Sequence, residues 1–311
     1  NYSAQNCYTT LFVFGCLPLL NVSKGQLPND TALEKQSKLT IEAALQNFGE
    51  QVLKVVFADG DSFGVSRSAG ERNWKPFDAV DVKLVEYPDE SDAGPFLVPG
   101  NIPIEGWPAY YRRDSESRLT LAAVQRRPAK YEGDRHAIVV DPANRMLYEF
   151  FTFGKTADGW AAGQSSIFDL KTNELRPDGW TSADAAGLPI FPAVVRYDEL
   201  ERGIIEHAMR VTVRRSRRAY VHPATHFASQ LNDENLPRMG ERLRLRADFD
   251  ISEFSPPVQA ILTGLKRYGM LVADNGIDWA ISVAPDLRIP VLHEELRKIK
   301  GADFEVVVAP K

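Results

Sequence analysis

Cysteine is almost missing from this chain. Cys7 and Cys16 are the two it has, and residues 17–311 contain none. A thiolate zinc site is thereby excluded from the body of the protein, and a Cys7–Cys16 disulfide would staple only its N-terminus. Positive charge is not in excess: 37 Lys and Arg stand against 42 Asp and Glu, a net charge of −5. Nothing global points to nucleic acid or an anionic membrane as partner. Long apolar runs are lacking too, so no stretch is comfortable as an integral membrane span. The GxSxG elbow, the P-loop and the dinucleotide-binding fingerprint are all absent, as is any repeat at fixed period.

What is present is ordinary for a soluble globular protein with a substantial core. The chain is 44% hydrophobic and 25% charged, and its 311 residues make one large domain or two moderate ones. Twenty-one Gly and twenty Pro favour many turns over long helices. Residues 1–30 hold the run YTTLFVFGCLPLL at 8–20, which reads as a signal-peptide remnant, a buried first strand or a membrane anchor, in that order. Asn1, Asn21 and Asn29 each open a glycosylation sequon, a short pattern that chance often produces. Residues 31–80 read as a helical N-terminal segment, with Leu33, Ile41, Leu45, Phe48 and Val52 striping a helix over 31–54.

From residue 81 to 311 the pattern predicts one mainly β domain, a β-sandwich or jelly roll with a few peripheral helices. Strands are expected over 81–87, 135–141, 146–154, 165–170 and 242–250, with DPANRM joining the second and third as a hairpin, and with Leu243, Leu245, Ala247 and Phe249 alternating with charged residues in the last. Further strands are expected in GMLVADNG, WAISVA and FEVVVA. Segments 206–213 and 218–222 predict a β-hairpin whose turn carries Arg214, Arg215, Arg217 and Arg218. Between 88 and 108, five prolines predict an extended strap over a sheet, with Phe96, Leu97, Ile102, Ile104 and Trp107 facing it. Helices are expected at 255–269, with Ser255 as N-cap and Gly269 as stop, and at 290–301, braced by Glu294 and Lys298.

The segments GDRHAIVVD, GWTSADAAGLPIFP, HAMRVTV, AYVHPATHFAS and MGERLRLRADFDIS resemble a family of secreted β-rich bacterial proteins, over roughly residues 80–283. Members of that family are in some cases joined to carbohydrate-binding or discoidin-like modules. The resemblance implies a secreted or cell-surface location and a polysaccharide context. It brings no catalytic residues to carry over.

The chemistry is sought first in residues 207–226, which hold three of the five histidines. His222 and His226 have the four-residue spacing of a helical metal pair, but Pro223 and the strand pattern argue against a helix, and no metal site is expected. The fragments DGDSFG and DFDIS resemble pieces of calcium loops, which leaves a structural calcium ion as the one cofactor considered. A polysaccharide lyase needs an arginine against a uronate carboxylate and a His or Tyr for proton transfer. His207, His226, Tyr220 and Arg210 supply those types, although His207 and Arg210 have opposite strand parity. A glycosidase needs two carboxylates. Glu105, Asp134, Glu149, Asp169, Asp184 and Glu206 are candidates, and Glu105 and Asp184 are the least explained by surface roles. Sugar binding needs aromatic platforms and planar polar groups, for which Trp107, Trp160, Trp180, Trp279, Arg135, Arg210 and Asp184 are named.

Each reading has a plainer rival. A histidine among apolar neighbours is more often a satisfied core residue, and Asp184 in a loop is more often a turn or cap residue. Residues 196–246 carry eleven Arg and no Lys. They make either one basic surface with Arg242, Arg244 and Arg246, or a solvated face laced with salt bridges. The leading expectation is an exported protein acting on polysaccharide as a lyase or hydrolase. The other is a non-catalytic extracellular protein that binds glycan or self-assembles at the surface.

Overall fold

The computed structural model describes residues 54–56, 78–100, 102, 104–105, 120–126, 134–141, 144–284, 286 and 288–307. The run at 8–20, nearly all of the helix expected over 31–54, and Trp107 lie outside them. The fold is mainly β, with four sheets and few helices. The described residues form two compact units. The first covers 78–174. The second covers β1 (Lys54–Val56) and 175–307. Residues 81–311 were expected to be one domain. They divide because two separate hydrophobic clusters form, one on each side of Glu174.

In unit 1, β2 (Asp78–Val80) pairs with β4 (Phe96–Val98), which was read as unladdered strap. The strap does cover a core, since Phe96, Ile102 and Ile104 are fully buried. A short parallel pair joins β3 (Val82–Leu84) to a later strand, and α1 (Leu121–Arg126) follows. Next come β5 (Ala137–Asp141) and β6 (Met146–Phe151), antiparallel as expected, then β7 (Gly154–Thr156), β8 (Gly159–Ala162) and β9 (Gln164–Asp169). The sheets are β3–β8–β7 and β5–β6–β9. Their shared core is aromatic: Phe150, Phe153 and Trp160 stack in series at 4.4 and 4.8 Å.

Unit 2 is built on one six-stranded mixed sheet. Its middle strand β10 (Met209–Val213) is buried along its whole length. Both neighbours therefore come from far along the chain. After β11 (Arg242–Leu245), β12 (Met270–Asn275) lies parallel to β10, and β13 (Ala280–Ser282) lies antiparallel to it. The hairpin expected from 206–222 does not form, and Tyr220 makes only an isolated bridge to Met239. β14 (Phe304–Val307) and β1 close the two edges. β11 is shorter than its alternation suggests, because Arg246 and Asp248 pair with each other in a turn.

Three helices accompany the sheet: α2 (Tyr197–Arg202), α3 (Pro256–Arg267) and α4 (His293–Leu296). α3 is the expected one. Pro256 opens it, and Val258, Ile261, Leu262 and Leu265 are buried in the sheet's cluster, each contributing roughly 1.5–3 kcal/mol. Ser255 does not cap it by side chain; its hydroxyl donates to Glu295 at 2.6 Å. α4 is one turn instead of the expected three, and Glu294 pairs with Arg297 rather than Lys298. No helix among the described residues is long and apolar enough to cross a membrane.

Candidate functional site

Two loops of unit 2 lock together beside β12, where the Ala186 amide donates to Ala273 O at 2.9 Å. The segment 176–187 and the segment 217–227 exchange main-chain bonds: Gly179 N–H to Thr225 O at 2.8 Å, and Thr225 N–H to Ala186 O at 3.0 Å. The Thr225 hydroxyl donates to Trp180 O at 2.8 Å. Gly187, at φ 74°, permits the approach; a Cβ there would collide with Thr225 Oγ1 and with Trp180 O. The seam brings a set of half-buried rings to the surface. The Phe227 ring lies near-parallel to those of Tyr220, at 6.2 Å, and His226, at 5.5 Å, with Arg218 over it at 5.6 Å. Trp180 has Arg176 against its ring at 5.4 Å. The Tyr220 hydroxyl donates to Asp178 at 2.8 Å. That bond, with burial and the Asp178 charge, pushes the phenol above its ordinary value, so Tyr220 holds its proton and is a poor base. His226 Nδ1 meets Ala185 O at 2.9 Å.

Buried ion pairs lie within the same unit. Arg210 grips Asp184 with two bonds of 2.8 and 2.7 Å and donates to Ser282 Oγ at 2.7 Å. Asp184 is therefore more than a turn residue: its fork with Arg210 ties loop 182–187 to the central strand. His207 lies just before β10, so strand parity does not govern it. Its Nε2 sits 2.9 Å from Glu199 and its Nδ1 2.9 Å from Ala208 O. Arg196 completes the group, pairing with Glu199 by side chain while its amide donates to Glu199 Oε2 at 3.0 Å. Burial pushes the Glu199 carboxyl up, but His207 and Arg196 outweigh it and hold the carboxyl below its usual range.

Unit 1 holds another buried polar set. Glu105 Oε2 lies 3.4 Å from His136 Nδ1 and accepts the His136 amide at 3.2 Å. Arg135, at φ 49°, is enclosed; its guanidinium donates to Phe153 O at 3.1 Å and Val124 O at 2.9 Å. Glu149 is buried on β6 opposite Ile138, beside Ser166 of β9.

The eight expected site residues therefore fall into three groups. Tyr220 and His226 flank Phe227, and Trp180 joins their segment through the bond of its carbonyl with Thr225. His207, Arg210 and Asp184 are buried in ion pairs, so His207 offers no outward-facing ring nitrogen and Arg210 already neutralises a carboxylate. Glu105 and Arg135 belong to unit 1 and are enclosed there. Of the other carboxylates, Asp169 closes a turn on the Lys171 amide and Glu206 is exposed near Arg202. His222 is exposed in a turn, not on a helix with His226. Among the described residues no group of three or more His, Cys, Asp or Glu is placed to hold a metal ion. In the fragment DFDIS, Asp248 pairs with Arg246 and Asp250 accepts the Ser252 amide.

The sequence reading missed Asp178, Phe227, Arg196 and Glu199, and named Arg218 only as part of a basic turn. Arg196 and Glu199, three apart in RYDEL, carried the signal of a helix start with an ion pair. Asp178 and Phe227 had no local signal, because their contacts span distant segments. Trp160 and Trp279 are core residues. No family model, no curated protein and no solved structure matches this chain.

Proposed function

We propose that the protein is an exported, secreted or cell-surface, non-catalytic glycan-binding protein, and that the ring-bearing surface of unit 2 is its contact surface. The observation that carries this is the set Trp180, Tyr220, His226 and Phe227, half-exposed and held in fixed poses by Asp178, Arg176 and the Thr225 seam. Rings with one wet face suit the apolar faces of sugars, and pre-positioned planar polar groups suit their hydroxyls. A lyase or hydrolase fits less well, because His207 and Arg210 are already occupied in buried pairs. The sandwich expected from the sequence is best sought in unit 1, where three small sheets enclose one aromatic cluster.

Affinity electrophoresis in gels containing soluble polysaccharides tests this reading. At least one glycan should retard the wild type, and Trp180→Ala should weaken that retardation about tenfold, worth ~1.4 kcal/mol. Release of reducing ends or unsaturated products by the wild type, lost in His226→Ala, would instead establish an enzyme.

A further inference from the structure

We propose that the glycan is anionic, with its carboxylate or sulfate groups received by Arg215 and Arg218. The inference rests on the glycan-binding reading above. In the segment RRSRR after β10, Arg214, Arg215 and Arg218 are exposed, yet the segment is fastened at four of its five residues. Arg214 N–H donates to Asp278 at 2.6 Å, Arg217 N–H to Pro237 O at 2.8 Å and Arg218 N–H to Leu231 O at 2.7 Å. Ser216 is fully buried, and its hydroxyl donates to Asn275 at 2.9 Å. The loop thus presents its arginines from a fixed backbone, which lowers the ordering cost of binding.

The four arginines differ in what they face. Arg214 lies 3.4 Å from Asp278, and Arg217 lies close enough to Glu241 to act on its carboxyl. Arg215 and Arg218 are exposed and have no carboxylate partner among the described residues. The rest of the basic surface is spent. Arg244 is bonded to Glu305 at 2.9 and 2.6 Å, and Arg246 to Asp248 at 3.1 Å. Arg218 is also the arginine over Phe227, so the unpaired charge adjoins the rings. Three acidic groups lie on the neighbouring segments: Asp178 accepts from the Tyr220 hydroxyl, Asp233 accepts from the Asn235 amide, and Glu234 is exposed. A planar guanidinium beside an aromatic ledge fits a sugar ring bearing a planar or tetrahedral anion, by a two-point fork.

The test is binding of the full chain, by biolayer interferometry, to polygalacturonate, dextran sulfate, neutral dextran and double-stranded DNA. The expected result is at least tenfold tighter binding to one of the two anionic glycans than to dextran. Polygalacturonate or dextran sulfate as the better ligand assigns the anion to carboxylate or to sulfate. The double variant Arg215→Ala, Arg218→Ala should lose that tenfold preference, while Arg246→Ala, whose charge is already paired, should keep it. Salt should weaken binding with a slope of roughly −1 to −2 on a log–log plot, as two arginines imply. Dextran bound as tightly as the anionic glycans would overturn the anionic assignment and leave the glycan-binding reading standing. Retention of the preference in the double variant would also overturn it. DNA bound as tightly as either anionic glycan would replace it with non-specific polyanion attraction. No binding to any glycan by a folded protein would remove both readings together.

Discussion

The two units solve the problem of a stable interior in different ways. Unit 1 stacks aromatic rings, Phe150 on Phe153 and Phe153 on Trp160, between three small sheets. Unit 2 packs aliphatic side chains such as Val211, Ile261, Leu265 and Val272 around one larger sheet, and buries charge beside them. Apolar stacking is indifferent to pH and tolerates small shifts. A buried ion pair tolerates neither the loss of a partner nor a change in protonation. Unit 1 encloses charge as well, at Glu105–His136 and Arg135; what unit 2 adds is a carboxylate–guanidinium fork, Asp184–Arg210, that ties the loop bearing Trp180 to its central strand.

The comparison is broken most severely at that pair. Asp184→Ala strands the Arg210 guanidinium in an interior where it is about 1% exposed. The expected cost is about 3–5 kcal/mol, read by urea unfolding. Replacing both partners, Asp184→Leu with Arg210→Met, should recover much of the loss, because no buried charge is then stranded; Asp274, 3.9 Å from Arg210, loses that cation but keeps some contact with water. Hydrogen exchange should show lost protection in peptides of unit 2, including 182–187 and 209–213. Equal loss across 137–169 of unit 1 would contradict the separation drawn between the two interiors.

Gly187→Ala comes next. It forces a side chain into a left-handed backbone and against Trp180 O, 2.7 Å from the new Cβ. The cost is about 1–3 kcal/mol. It should be accompanied by loss of glycan retardation, since the seam that poses Trp180 opens. A variant as stable as the wild type that keeps its glycan affinity would contradict the role given to the seam.

How much of this was legible in the sequence depends on the range of the forces involved. α3 was legible because its apolar stripe, Pro256 and Gly269 all lie within fifteen residues. The β5–β6 pair was legible for the same reason. The hairpin at 206–222 was misread because β10 takes its neighbours from residues 270–282, and full burial on both faces overrides the nearest-neighbour pairing. At the site, Trp180 and Tyr220 were picked by residue type. Their meeting depends on bonds between segments about forty residues apart, such as Tyr220 to Asp178, which no local pattern encodes. Arg210 was picked as the arginine a uronate carboxylate would need, and Asp184 as a carboxylate little explained by a surface role. They bury each other.

The smallest expected effect concerns acid, and it separates two carboxylates within unit 2. Glu199 is held below the usual carboxylate range by His207 and Arg196, against the opposing effect of burial. A group lowered in the folded state adds stability that is fully present above its unfolded value, about 4.3, and is lost as pH falls through the folded value. Glu241 is shifted the other way: burial raises it, and Arg238 and Arg217 only partly offset that. Its contribution is most favourable below about pH 4.3 and declines as pH rises toward the raised folded value. The two slopes therefore oppose each other across the acid range. Urea unfolding from pH 3 to 7 should show a steeper acid-side gain in stability for Glu241→Gln than for wild type, and a flatter one for Glu199→Gln. Parallel curves for the two variants would mean that Arg196 and His207 do not set the ionisation of Glu199.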